Sequence, residues 1–149
     1  MTPDHHAADI EQIKELVTDW VTRGWHLQRG HTFDFRRQLE PYYEWDAEDA
    51  ILHDNADPHR TIARSAAEYA TIWDTSLTTL VALDNTVDDG PHVTVSGDLA
   101  VVDVCFSTTF EFGNGHVDVA PTRSTLALRR NGQRWNIFRE HGSALTSNI

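Results

Sequence analysis

The 149-residue chain carries a single cysteine, Cys105, so no internal disulfide can form and stability must come from burial and hydrogen bonding. It also lacks any apolar run approaching the ~20 residues a membrane-spanning helix needs. The opening residues, MTPDHHAADIEQ, contain neither the basic nor the apolar region of a secretory signal; with the lone cysteine, this makes the cytoplasm the expected location. Positive charge is scarce: 12 Lys and Arg stand against 23 Asp and Glu, for a formal net charge of −11. Such a surface repels phosphate backbones and anionic lipids at long range, so neither nucleic acid nor a membrane is an expected partner. No glycine-rich nucleotide loop is present. The nine histidines form no HxH, HExxH or Cys–His cluster, so neither a metal nor a cofactor is expected. Cys105 has no basic neighbour in sequence to activate it.

What is present suits one compact domain over 1–149, with a mobile tail expected at 1–8: 40% of residues are hydrophobic and five are tryptophan. Ile10, Ile13, Leu16, Val17, Trp20 and Val21 recur at three- and four-residue steps behind Asp9, a candidate N-cap, predicting an amphipathic helix over about 9–27. A shorter helix is expected from Phe33 to Tyr43. Ser65-Ala-Ala-Glu68 is a capping box opening a third helix through Trp73. Between these lies a short strand, Asp49 to Asp54, ending in a loop where Pro58 excludes helix. From Leu77 onward the runs 77–88, 92–96, 99–112, 117–130 and 134–144 read as strands, separated by Asp-Asp-Gly, Ser-Gly-Asp, Gly-Asn-Gly and Asn-Gly turn signals. Helices followed by strands predict an α+β domain: about three helices on one face of a curved antiparallel sheet, a cone whose open end can hold a small molecule.

In the run 99–112, Val102, Val104, Phe106, Phe110 and Phe112 alternate with Asp103, Cys105, Ser107, Thr109 and Glu111, so the apolar set faces a core or cavity. Arg123 follows Pro121 on a run with small residues at Thr125 and Ala127. A buried guanidinium there requires a carboxylate partner, Glu140 or Asp54, or an anionic ligand. On the last run Phe138, Glu140 and Gly142 share one face and Trp135, Ile137, Arg139 and His141 the other, an assignment a bulge would reverse. His141 is thus either an acid/base group or an interface residue. Trp20, Trp25, Tyr42, Tyr43, Tyr69 and Trp73 are expected core or pocket-wall aromatics.

Three local runs carry a resemblance. Asp49-Ala50-Ile51-Leu52-His53-Asp54 is similar to the Asp-Ala-x-x-x-Asp run of ketosteroid isomerases, with Asn55 where they have proline. Val119-Ala120-Pro121-Thr122-Arg123 resembles their Val-Ala-Pro-x-Asp run, with arginine replacing the acid. Trp135 to Ser143 is similar to the Trp…His-x-Ser terminal strand of SnoaL-like domains and of the calcium/calmodulin-dependent kinase association domain. From Asp9 to Ser143 the pattern resembles the NTF2-like superfamily, in its SnoaL-like and isomerase-like branches. The resemblance implies a cofactor-free enzyme acting by isomerisation, cyclisation or dehydration on a hydrophobic carbonyl or hydroxy compound. Asp54 would be the base and Arg123 the oxyanion stabiliser, held by Glu140. The pocket would be walled by Trp20, Trp25, Tyr42, Tyr69, Trp73, Val104, Phe106, Phe110, Phe112 and Phe138. The arginine at 123 and a first helix without tyrosine argue against steroid isomerisation itself. The resemblance also implies a homodimer through the outer sheet face, with Trp135, Ile137, His141, Cys105, Ser107 and Thr109 at the contact. A non-catalytic ligand-binding or association module on the same fold is the alternative.

Overall fold

In a computed structural model describing residues 3–144, helix α1 (Pro3–Asp19) already begins at Pro3, inside the expected tail. Residues 1, 2 and 145–149 of the expected domain lie outside the described part. Asp9 is therefore no cap. It sits inside α1 and binds the Arg130 guanidinium at 2.5 Å, while that guanidinium lies over the Trp135 ring, 4.5 Å from its centroid. From Trp20 to Gly24 the helix widens into a π turn, closed by Trp25 N–H donating to Trp20 O at 3.1 Å. A widened turn releases carbonyls that an α-helix would occupy, and such turns often mark functional sites.

Helix α2 (Phe35–Leu39) starts where the Asp34 side chain accepts from Arg37 N–H. A 3₁₀ turn, Glu40–Tyr42, continues it. Helix α3 (Ala66–Ser76) begins as its capping box predicts, with Ser65 Oγ accepting from Glu68 N–H at 3.1 Å and the Glu68 carboxylate accepting from Arg64 N–H at 2.8 Å. Among the described residues, no helix is long and apolar enough to cross a membrane.

The strands are β1 (Ile51–Asp54), β2 (Leu80–Ser96), β3 (Leu99–Phe112), β4 (Val117–Asn131) and β5 (Arg134–Ala144), in the order β1-β5-β4-β3-β2. The expectation of a wholly antiparallel sheet needs correction: β1 pairs parallel to β5, which makes the curved sheet mixed. The geometry follows from chain order, because the crossover from β1 to β5 carries α3 and three strands rather than a tight hairpin.

Asp88-Asp89-Gly90 is not a turn. β2 runs through it with register shifts on either side of Asp89, and Gly90 adopts φ +92° where a Cβ would meet Asp103 O at 2.9 Å. Only glycine tolerates both conditions, and the irregularity bends the strand rather than ending it. A second shift, at Ala127 and Leu128 against Arg139 and Ile137, places a bulge at Phe138. It reverses the side-chain phase expected for the start of β5. Trp135 and Ile137 turn inward with Glu140 and Gly142, while Phe138 packs on the outer face against Ala47 and Ala50. The core between helices and sheet holds Ile13, Val17, Trp20, Phe35, Leu126, Leu128, Trp135 and Ile137, all almost wholly buried. Each such side chain contributes roughly 1.5–3 kcal/mol on burial.

Candidate functional site

The inner face of the cone turns polar where β1 and β5 run side by side. Their parallel register puts Leu52 beside Glu140 and Asp54 beside Gly142, so alternation brings Asp54 and Glu140 to the same inner face two residues apart. Glu140 is only 4% exposed and makes two short hydrogen bonds: Tyr43 Oη donates to Oε1 at 2.5 Å and Tyr69 Oη to Oε2 at 2.6 Å. Trp20 Nε1 donates in turn to Tyr43 Oη at 3.0 Å, which fixes that hydroxyl's own hydrogen on Glu140. Burial pushes the Glu140 carboxyl up to about 8, and the neighbouring Asp54 charge adds to the rise, against the two tyrosine hydrogen bonds. Both tyrosine hydroxyls are raised well above their ordinary range, first by burial and then by Glu140.

Asp54 terminates β1. One carboxylate oxygen accepts from Ala56 N–H at 2.7 Å; the other lies directly over Gly142, where a Cβ would fall inside contact distance of it and 2.7 Å from Cγ. Burial raises the Asp54 carboxyl from its ordinary value, opposed mainly by the Ala56 hydrogen bond. The loop that follows is shaped by buried Asp57, whose carboxylate accepts from His59 N–H at 3.0 Å and Thr61 N–H at 2.8 Å.

The two carboxyls line one cavity of about 60 Å³ together with Trp20, Trp25, Trp73, Phe106 and Phe110. Exposed Ala56 lies at its rim, so the space reaches the surface there. Asn85, Thr108, Thr122 and Ser124 supply further polar groups along the sheet. Among the described residues, no cationic side chain lines the cavity.

Several expected site residues lie elsewhere. Arg123 is exposed: the inward set of β4 is Ala120, Thr122, Ser124, Leu126 and Leu128, so Arg123 projects from the outer face. It cannot stabilise an oxyanion in the cavity or hold Glu140. Arg123→Ala is therefore expected to move stability by no more than about 0.5 kcal/mol, read as an almost unchanged thermal midpoint. His141 is also on the outer face, its ring stacked on His53 with centroids 4.4 Å apart, and is no acid/base group for the cavity. Phe138 lies under the Arg129 guanidinium, 4.0 Å from its centroid, and so is no pocket residue. Tyr42 is half-buried near Gly24, away from the cavity, whereas its neighbour Tyr43 reaches Glu140. Val104 belongs to the core and Tyr69 lies behind Glu140. Phe112 stacks on His116 near the strand end. The outer face expected to form a dimer contact offers His141, Cys105, Ser107 and Thr109 without Trp135 and Ile137, which are inside. Among the described residues no three His, Cys, Asp or Glu side chains gather into a metal-binding group.

The residues the sequence reading missed are Tyr43 as a Glu140 partner and Asn85. Asn85 had a signal, because it falls in phase with the apolar Leu83 and Val87 of β2, an odd position for an amide.

A SnoaL-like domain family matches residues 42–147. An NTF2-like superfamily protein from Salmonella enterica superposes with TM-score 0.75 at 14% identity, covering 97% of this chain and 96% of that one. A candidate dehydratase of the NTF2-like family from Streptomyces avermitilis gives 0.69 at 20% identity, covering 98% and 100%. A ketosteroid isomerase-like protein from Erwinia carotovora gives 0.64 at 18%, covering 93% and 97%. At these identities the likeness is one of fold. No curated protein matches the sequence.

Proposed function

This chain belongs to the SnoaL-like family, within the NTF2-like superfamily, and from that premise we propose that it is a cofactor-independent acid/base enzyme acting on a small carbonyl or hydroxy compound. The observation carrying the proposal is the pair of carboxyls, Asp54 and Glu140, at one largely apolar cavity. Two acids with differently shifted ionisation are the usual means of holding a base and an acid side by side. Asp54, with one oxygen uncommitted to any backbone donor, takes a proton from a carbon next to a carbonyl. Glu140, largely neutral at neutral pH, is the proton donor: its own proton goes to another carbon in an isomerisation, to the oxygen of the attacked carbonyl in an aldol-type cyclisation, or to a departing hydroxyl in a dehydration. The pair is reset when Asp54 gives up its proton to solvent and Glu140 regains one. The aromatic walls exclude water and keep these proton transfers local. A homodimer through the outer sheet face, which the family resemblance implies, and a cytoplasmic setting, which the lone Cys105 favours, belong to the same proposal.

The test needs no prior substrate. Incubation in D₂O with a panel of small ketones and hydroxy ketones should show protein-dependent deuterium uptake at the carbon next to the carbonyl, by NMR. Asp54→Asn keeps the shape and removes the base, so uptake should fall by a factor of at least ~100. Uptake unchanged by that substitution would overturn the proposal. One observation favours the second reading, a binding or association module: a cavity of about 60 Å³ is small beside the roughly 300–1,000 Å³ of drug-sized ligand sites. On that reading no member of the panel exchanges.

A further inference from the structure

Two buried polar atoms of residues lining this cavity have no partner among the described residues. Asn85 is 7% exposed, and its amide nitrogen donates to Val21 O at 3.1 Å and Trp25 O at 2.7 Å. Val21 lies within the π turn and Trp25 closes it, where the widened helix frees acceptors. With both N–H groups committed to carbonyl acceptors, the amide can sit only one way round, and Oδ1 is left a neutral acceptor with no donor. Trp73, 5% exposed, offers the complement: its indole Nε1–H is buried and has no acceptor. The Trp25 ring joins the two, edge-on to Trp73 at 5.3 Å between centroids, with its backbone carbonyl on Asn85. Buried donors and acceptors are rarely left unmatched, and both of these belong to residues lining the same cavity.

We propose that Asn85 and Trp73 form the recognition end of the cavity and select an uncharged hydroxy-carbonyl ligand, its hydroxyl donating to Asn85 Oδ1 and its carbonyl oxygen accepting from Trp73 Nε1–H. The charge requirement follows from the lining: Asp54 and Glu140 line the same cavity and, among the described residues, no cation does, so a carboxylate ligand meets the Asp54 charge with nothing to offset it. This refines the reading given above by naming the ligand class, which corrects the anionic ligand that a buried Arg123 would have called for. Selection is strong for the same reason. A site built to bond a hydroxyl rejects the analogue lacking it, because the site's own buried atom then stays unpaired.

Binding of the three hydroxybenzaldehydes, benzaldehyde, phenol and the three hydroxybenzoates, followed by ligand-observed NMR titration at about pH 6.5, where the phenols are neutral and the benzoates ionised, tests this. At least one hydroxybenzaldehyde should bind about tenfold or more tighter than benzaldehyde and than its own hydroxybenzoate. Trp73→Phe removes the indole donor together with the five-membered ring, and should weaken that hydroxybenzaldehyde several-fold more than phenol, which shares only the loss of ring contact. Asn85→Leu should erase the advantage over benzaldehyde; if that variant does not fold, the wild-type panel and Trp73→Phe decide alone. Benzaldehyde or a hydroxybenzoate binding as tightly as every hydroxybenzaldehyde, no hydroxybenzaldehyde binding at all, or an unchanged ratio of hydroxybenzaldehyde to phenol affinity in Trp73→Phe would each overturn the assignment. Because the readout is binding rather than proton exchange, its failure is distinguishable from failure of Asp54 as the base.

Discussion

Unfolding free energy is expected to fall as pH rises from about 4.5 to about 8, and Glu140→Gln should abolish most of that fall. The folded chain keeps a proton on Glu140 up to about 8, whereas the unfolded chain releases it near the ordinary glutamate value of 4.5. Between those limits the folded state binds more protons than the unfolded one, so stability drops with rising pH. The contribution is fully present below 4.5 and lost once the folded group ionises. With Glu140 wholly buried, the swing is on the order of several kcal/mol. Asp54 acts in the same direction, since burial raises it too. Gln keeps the network: its carbonyl accepts from Tyr43 and its amide can donate to Tyr69 Oη. Glu140→Gln should therefore match the natural chain near pH 5 and exceed it near pH 8.5, measured by urea unfolding at both values. Equal slopes with pH in the two proteins would mean that Glu140 ionises normally in the fold. A fold more stable without its acid has kept that acid for its chemistry, which is the pattern expected of a functional site.

Much of the architecture was legible because it rests on local chemistry. The capping box at Ser65 and Glu68 and the alternation of β3 each state one unambiguous rule, and each element forms where its rule places it; the period from Ile10 to Val21 marks the first helix but not its bounds, since α1 starts at Pro3 rather than Asp9 and gives way to a π turn at Trp20. Arg123 illustrates a signal overlooked rather than absent. Leu126 and Leu128 set the inward phase of β4, and Arg123 is out of step with both; reading phase from Thr125 and Ala127 put the guanidinium inside. The bulge at Phe138 was a different case. It depends on how β5 matches β4 across the sheet, a non-local register no short window contains, and it exchanges Phe138 for Ile137 at the inner face. Tyr43 was hidden by Tyr42 beside it, since only the approach of Tyr43 Oη to Glu140, 97 residues away, separates one tyrosine from the other.

Gly142→Ala is expected to reduce activity nearly as far as Asp54→Asn while leaving the protein folded. Position 142 lies within β5, its backbone conformation is one other residues adopt, and alanine adds a single methyl group. That methyl group has nowhere to go: the nearest atoms to a Cβ built there all belong to the Asp54 carboxylate and its stem, at 2.7 Å for Cγ and 3.3 Å for Cβ. Asp54 must swing away, losing either its bond from Ala56 N–H or its place at the cavity. A displacement of about 1 Å is enough to cost ~100-fold where a reacting group must sit at hydrogen-bond distance. The stability cost should depend on Asp54 in the same way. Gly142→Ala made in an Asp54→Ala background, where the obstructing carboxylate is gone, should be close to neutral, and the difference between the two backgrounds measures the clash. Deuterium uptake at the ketone carbon and urea midpoints across the four proteins of this cycle give both readings. If Gly142→Ala retains full exchange activity, the Asp54 carboxylate does not work from its place over Gly142, and the base must be sought at Glu140.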